Sequence, residues 1–213
     1  ENCPADLLIT VDAGKLHKAA QQNLLQKINI SDYSNSINSK LTDPNNFWLP
    51  ITYRARVIVY HKDRVVSSDL STYDDLTNQK WKNKLLVRSS TNSYNQALLS
   101  SLIANKNEEY ALKWANSVVL NFAREPKGND RDQVRAIAAN VGDIAIVNSY
   151  YIGLLKNSSD SLDRLVGETV NVFFPNQGEN ESGTHVNISG IGLLKKAPNI
   201  DNAKLLMEFL VSD

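Results

Sequence analysis

The chain has 213 residues, more than the ~150 typical of one average domain, so it allows one large domain or two modest lobes. Hydrophobic residues make up 42% and charged residues 22% of the chain, which is ordinary globular usage and excludes a disordered protein. Lys plus Arg and Asp plus Glu each number 23, so no overall field attracts nucleic acid, and we expect no nucleic-acid partner. A charged ligand must be held by local groups.

Apolar patterning predicts strands separated by helices along the whole chain. The first strand covers Ala5–Thr10, and Asp12 then caps a helix from Ala13 to about Asn23. Residues 29–46, rich in Ser, Asn and Asp, are predicted to form a loop. Further strands are predicted at Val57–Tyr60, Leu85–Val87, Asp143–Val147, Val170–Phe174 and Val186–Leu194, and helices at Thr72–Thr77, Ala97–Ala104, Glu108–Phe122, Arg131–Ala139, after Val147 through Leu155, and at Asn199–Leu210. This alternation predicts an α/β protein with a parallel, doubly wound sheet.

The signatures of common enzymes are absent from the sequence. It contains no His-Glu-x-x-His, no Walker-type phosphate loop and no Gly-x-Ser-x-Gly elbow. Gly190-Ile-Gly192 lies inside an apolar run and is followed by Lys195, where a dinucleotide-binding fingerprint needs Gly or Ala. The sequence thus carries no catalytic signature, and we do not expect an enzyme.

Two segments repeat one local pattern, in which a strand leads to Asn-Ser-Tyr and then to a helix. They are Asn92-Ser93-Tyr94 and Asn148-Ser149-Tyr150-Tyr151. Because Asn and Ser favour the N-cap, each tyrosine is predicted in the first turn of a helix, at the carboxyl edge of the sheet where α/β proteins bind ligands. The partial positive charge of a helix N-terminus favours an ionised phenol there.

Tyrosine oxygens at such an edge suit a hard, highly charged cation. A tyrosine has a pKa of ~10 and becomes a phenolate near neutral pH only beside a strong cation. Fe3+ is such a cation, and three phenolates would balance its charge. A Tyr-Tyr pair is, however, more often an ordinary core or surface feature. The spacing alone therefore indicates a ligand cleft of unknown content.

Stretches distributed along the chain carry a family resemblance: Pro4–Gly14, Arg54–Tyr60, Lys80–Lys82, Asn148–Tyr151, Phe173–Gly178 and Gly183–Gly190. In these stretches the chain resembles the ferric-iron-binding proteins of bacterial ABC importers, in particular the cyanobacterial iron-uptake branch. The resemblance implies a type II-like periplasmic binding protein with two lobes, each a sheet flanked by helices, and Fe3+ bound in the cleft between them. It also implies a monomer that delivers the iron to an ABC transporter permease in the inner membrane.

The resemblance implies lobe boundaries and site residues as well. One lobe would comprise residues 1–52 and 180–213, and the other residues 53–179. The hinges would lie near Thr52–Arg54 and Asn176–Gly183. Carried over by position, the metal ligands would be Tyr94, Tyr150 and Tyr151, and Arg54 would border the iron. All three tyrosines would belong to the second lobe.

The resemblance is incomplete at both ends. Family members begin with another strand and helix, which supply a further His or Tyr ligand, and continue past Asp213; we therefore expect a fragment with an incomplete coordination sphere. His185 could substitute as a ligand, although a structural role is favoured. Two rival functions stay open: a binding protein of the same fold that captures a small anion with Arg54, and an enzyme, such as a hydrolase, acting in the cleft.

Overall fold

The computed structural model describes residues 3–33 and 37–212 of the chain. In this described part, no helix is both long and apolar enough to span a bilayer. The strands are β1 (Leu7–Val11), β2 (Leu49–His61), β3 (Leu85–Leu86), β4 (Ile144–Asn148), β5 (Val170–Phe173) and β6 (Val186–Leu193). The α-helices are α1 (Ala13–Gln21), α2 (Ser93–Asn105), α3 (Glu108–Val119), α4 (Asp130–Ala138), α5 (Tyr150–Lys156), α6 (Ser161–Glu168) and α7 (Ile200–Val211). Short 3-10 turns lie at Ile30–Asp32, Ser39–Leu41, Ser67–Asp69, Asp74–Thr77 and Gln79–Trp81.

Most of the strands and helices predicted from the sequence are present, but they begin or end at different residues. The predicted loop at 29–46 contains two of the 3-10 turns, and residues 34–36 lie outside the described part. The helix predicted at Thr72–Thr77 is also a 3-10 turn. Helix α6 was not predicted. It begins at the cap Asp160, whose side chain accepts a hydrogen bond from the backbone nitrogen of Leu162 at 2.8 Å, and this N-cap signal could have revealed it.

Contacts between Cα atoms divide the chain into two compact units. The first unit comprises Glu1–Tyr53 and Asn187–Asp213, and the second comprises Arg54–Val186. In the first unit, β1 pairs antiparallel with β6. Helix α1 begins after the predicted cap Asp12, whose carboxylate accepts a hydrogen bond from the backbone nitrogen of Gly14 at 2.9 Å. The buried core side chains of this unit include Leu16, Leu25, Leu49, Ile191 and Met207.

Gly190 and Gly192 allow close packing around β6 in the first unit. A Cβ atom on Gly190 would lie 2.6 Å from the carbonyl oxygen of Leu49, and one on Gly192 would lie 2.8 Å from the side chain of Leu25. Both distances are shorter than van der Waals contact, so any larger residue would force the neighbouring segments apart. Close approach of the backbone therefore explains this Gly-x-Gly pattern without a nucleotide.

The sheet of the second unit has the strand order β5–β2–β4–β3. Strand β2 pairs antiparallel with both β4 and β5, and Arg56 lies opposite Asn148 at the end of the β2–β4 ladder. Strands β3 and β4 run parallel, whereas β2 runs antiparallel to both of its partners β4 and β5. The predicted parallel, doubly wound sheet is therefore wrong. Several helices and turns separate β2 from its neighbouring strands along the chain, and so long a connection can return to the sheet in either direction. The alternation of helices and strands therefore does not determine the strand direction.

Helices cover both faces of this sheet, in keeping with the predicted α/β class. Ile58 and Ile146 lie in a core shared with α2 and α3, whereas Val57 and Val147 lie in a core shared with α4 and α5. The alternation follows from the two-residue period of a strand. By the same period, the side chain of Arg56 lies on the same face of β2 as Ile58, the face towards α2. Arg56 is buried, so its charge lies inside the protein near the start of that helix.

Candidate metal centre

Tyr94 lies in the first turn of α2, as predicted. The side chain of the N-cap residue Asn92 accepts a hydrogen bond from the backbone nitrogen of Tyr94 at 2.9 Å, which fixes the start of the helix. Strand β3 precedes this segment and runs parallel to β4. Tyr94 therefore follows the carboxyl end of a strand in the second unit.

Tyr150 and Tyr151 begin α5, directly after β4. Ser149 occupies the N-cap position, but its side chain makes no capping hydrogen bond. Instead, its hydroxyl accepts a hydrogen bond from the backbone nitrogen of Ala55 at 3.4 Å, and its own backbone nitrogen donates to the Ala55 carbonyl at 2.9 Å. Hydrogen bonds to β2, rather than a side-chain cap, thus hold the turn that presents the two tyrosines.

The structure brings the three predicted tyrosines together. The hydroxyl of Tyr150 lies close enough to those of Tyr94 and Tyr151 for each of them to act on its pKa. The rings of Tyr150 and Tyr151 lie with their centroids 4.2 Å apart and are tilted by 36°. Tyr150 is 40% exposed, so this group of oxygens is open to solvent on one side. The three oxygens thus form one continuous cluster of potential metal ligands.

Without a metal, the cluster favours protonated phenols. Burial raises the pKa of Tyr94, and the neighbouring hydroxyl of Tyr150 raises it further, whereas the charge of Arg54 lowers it. Burial likewise raises the pKa of Tyr150; the neighbouring hydroxyl of Tyr151 acts in the same direction, and that of Tyr94 opposes it. A cation that binds these oxygens must therefore displace protons.

Three guanidinium groups surround the ring of Tyr94. The Cζ atoms of Arg88, Arg54 and Arg56 lie 5.4, 5.5 and 5.9 Å from the ring centroid. Cations at this distance are attracted to an aromatic ring, and they also favour a negative charge on its oxygen. Arg54, predicted to border the metal, therefore lies beside one of the predicted ligands. Arg56 and Arg88 were not predicted.

The sequence analysis also did not predict a buried ion pair near the tyrosines, between Arg56 and Asp130. The Nη1 atom of Arg56 lies 2.5 Å from Oδ2 of Asp130, and the two side chains are 1% and 0% exposed. Nη1 of Arg88 lies 3.4 Å from the other carboxylate oxygen of Asp130. One signal for Arg56 was available, since a charged residue on the strand face of Ile58 must be buried with a partner.

The backbone of His185 is hydrogen-bonded to β2 and to Tyr73. Its carbonyl accepts a hydrogen bond from the backbone nitrogen of Arg56 at 2.9 Å, and its backbone nitrogen donates to the hydroxyl of the buried Tyr73 at 3.1 Å. The Tyr73 hydroxyl in turn donates to the carbonyl of Arg56 at 2.5 Å. Across residues 3–33 and 37–212, His, Cys, Asp and Glu side chains form no group of three or more that could hold a metal.

Comparison with known proteins defines the class. The profile of the bacterial extracellular solute-binding protein family matches residues 2–213. The chain therefore belongs to this family. Iron uptake protein A2 of Synechocystis sp. strain PCC 6803 is 49% identical to it over 212 residues, which are 100% of this chain and 61% of that protein. The sequence resemblance to ferric-iron-binding proteins is thus confirmed.

Solved structures give the same relationship. The Trichodesmium protein FutA (IdiA), in complex with iron and citrate ligands, is 49% identical with a TM-score of 0.94, and the match covers 99% of this chain and 66% of that chain. The ferric binding protein from Campylobacter jejuni is 42% identical with a TM-score of 0.92, over 99% of this chain and 66% of that chain. This likeness confirms the predicted type II-like α/β binding-protein fold. The chain spans about 61% of the length of the curated relative A2.

Proposed function

We propose that this chain is the metal-binding part of a periplasmic ferric-iron-binding protein and acts without catalysis. Tyr94, Tyr150 and Tyr151 bind Fe3+ as phenolates, and Arg54 compensates the negative charge that develops on them. The iron is cargo, which the protein passes, as a monomer, to the permease of an ABC importer in the inner membrane. The family and the names of its relatives support this proposal.

The observation that carries the proposal is the proximity of three tyrosine side chains from two separate segments of the chain: the rings of Tyr150 and Tyr151 have centroids 4.2 Å apart, and Tyr94 lies near enough to Tyr150 to act on its pKa. Grouping three phenols at a half-open surface gains little stability, because water could satisfy each hydroxyl equally well. A shared ligand would explain the grouping. Three phenolates provide three negative charges, which match Fe3+ and exceed the charge of a divalent ion. The cluster therefore favours a trivalent cation.

The two compact units are proposed to be the two lobes of the binding protein. The three tyrosines and Arg54 all lie within Arg54–Val186, the second unit. The predicted second lobe ended earlier, at residue 179, whereas this unit extends into the start of β6. Iron would accordingly bind first to the second unit, which holds the whole tyrosine cluster.

Titration of the purified protein with ferric citrate tests the proposed function. A charge-transfer band from phenolate to iron should appear in the visible spectrum and saturate at one ferric ion per chain. Citrate alone, and citrate with Zn2+, should give no band, because Zn2+ has no redox chemistry and no partly filled d shell. A protein that stays colourless and metal-free in excess ferric citrate would contradict the proposal. Colourless binding of citrate would instead favour the rival anion-binding function.

A further inference from the structure

The ion pair between Arg56 and Asp130 is an unusual feature of the second unit, because it lies almost fully buried beside the tyrosine cluster. We propose that Asp130 is a positioning residue that acts through Arg56 to hold Tyr94 and Tyr150 at the spacing ferric iron requires. The inference rests on the proposed iron-binding function and extends it to a residue that touches neither the metal nor the tyrosine oxygens.

Both carboxylate oxygens of Asp130 accept hydrogen bonds from neighbouring groups. Its Oδ2 accepts hydrogen bonds from Nη1 of Arg56 at 2.5 Å and from the backbone nitrogen of Asn148 at 2.8 Å. Its Oδ1 accepts one from Nη1 of Arg88 at 3.4 Å. The carboxylate thus holds the end of β4 and two of the three guanidinium groups beside the ring of Tyr94.

Arg56 connects the two segments that carry the tyrosines. Its Nη2 donates to Oδ1 of Asn95 at 2.7 Å, and Asn95 is the neighbour of Tyr94 in the chain. Its Nη1 also donates to Oδ1 of Asn148 at 3.2 Å, and Asn148 ends the strand that leads to Tyr150. A single guanidinium therefore bridges α2 and the β4–α5 connection, with Asp130 fixing its orientation.

Stability alone does not account for this arrangement. Burial of two ions carries a large desolvation cost, and well-packed apolar side chains of similar size are often as stabilising as a buried ion pair. The planar fork of arginine, in contrast, fixes several acceptors at defined angles, which an apolar group cannot do. When residues that contact the metal ligands but not the metal are mutated, the metal affinity typically falls about 10- to 100-fold.

The variant Asp130→Asn tests the inference, because it keeps the size of the side chain and removes its charge. Loaded with ferric citrate, it should bind iron about 10- to 100-fold more weakly than the wild type. Its phenolate-to-iron band should also shift in energy, since the band depends on the geometry of the iron–oxygen bonds. Asn95→Ala, which removes the acceptor that ties Arg56 to α2, should change affinity and band in the same direction.

Asp143→Asn is the matched control. Asp143 forms an ion pair with Arg64 at 2.6 Å and a second with Lys84 at 3.4 Å in the same unit, and neither partner contacts the tyrosine cluster. This variant loses ion pairs of its own and should keep both the affinity for iron and the band of the wild type. A loss that arises only from weaker folding would lower the unfolding temperature without moving the band.

Three cases are to be distinguished. If the wild type develops the band and folded Asp130→Asn reproduces its energy and affinity, the positioning role is wrong while the proposed function stands. If Asp130→Asn does not fold, the same comparison on Asn95→Ala decides, and an unchanged band and affinity there overturn the inference. A wild type that binds no ferric iron overturns the proposed function and this inference together.

Discussion

At the ferric citrate concentration that just saturates the wild type, replacement of Tyr150 by Phe is expected to abolish the visible band. Tyr150 is the central member of the cluster, because its hydroxyl neighbours those of both Tyr94 and Tyr151. Its loss removes one anionic ligand and leaves two phenolates to hold a trivalent ion. The affinity for iron should fall by more than the about 10- to 100-fold that loss of an outer-shell partner costs.

Tyr110→Phe is the appropriate control for this substitution. Tyr110 is in α3 of the same unit, and its hydroxyl donates a hydrogen bond to Asp74 rather than to the cluster. Removal of that hydroxyl should cost about 1 kcal/mol of stability at most and leave iron binding unchanged. If Tyr150→Phe retains the full band and affinity, or if Tyr110→Phe loses them equally, the assignment of Tyr150 as a ligand is wrong.

Iron retention should fall steeply as the pH is lowered. Burial raises the pKa of Tyr94 and of Tyr150 above the ordinary value of about 10, so both are protonated in the metal-free protein throughout the range below it. Iron binding must therefore release a proton from each phenol that becomes a ligand. For each such proton, the affinity should change about 10-fold per pH unit, increasing towards alkaline pH.

The measurement is the apparent affinity for iron in citrate-buffered solutions from about pH 8 to about pH 5, with the protons released on loading counted in parallel. Since Tyr94 and Tyr150 do not titrate in this interval without metal, the slope should be constant and should equal the number of protons released on loading. Tyr94→Phe, at iron concentrations high enough to load it, should release one proton fewer. An affinity that does not depend on pH after correction for citrate would show that the phenols bind iron without ionising or do not bind it.

The tyrosine cluster was predictable because its signals are local in sequence. Tyr94 and Tyr150 follow predicted strands at the start of helices, and the cap at Asn92 forms as the pattern indicates. The identity of the ligand, in contrast, could not be predicted from these local signals. Spacing alone left its ligand open, and the family resemblance supplied ferric iron as the expected one.

The buried network was not predictable to the same degree. Arg56 carried a signal, because the strand period places it on the face of Ile58 and Tyr60, where a charge needs a partner. Its partner Asp130 is distant in the chain and resembles an ordinary residue at a helix start, next to the capping box of Asn129 and Asp132. The antiparallel pairing of β2 with β4 sets Arg56 opposite Asn148, whose backbone nitrogen donates to Asp130, whereas a parallel sheet had been predicted.

Antiparallel pairing also has a functional consequence. It places Arg56 opposite Asn148, so the end of β4 and the residue that bridges it to α2 lie side by side. A parallel pairing would have set a different residue against Asn148. The strand direction therefore determines which side chain can link the two tyrosine-bearing segments.

A crystal structure of the iron-loaded protein, with anomalous scattering recorded at the iron absorption edge, tests the central claim most directly. We predict one iron peak about 2 Å from the hydroxyl oxygens of Tyr94, Tyr150 and Tyr151, the distance typical of oxygen ligands to small metal cations. An iron peak elsewhere in the protein, with no metal within bonding distance of the three tyrosine oxygens, would contradict the claim.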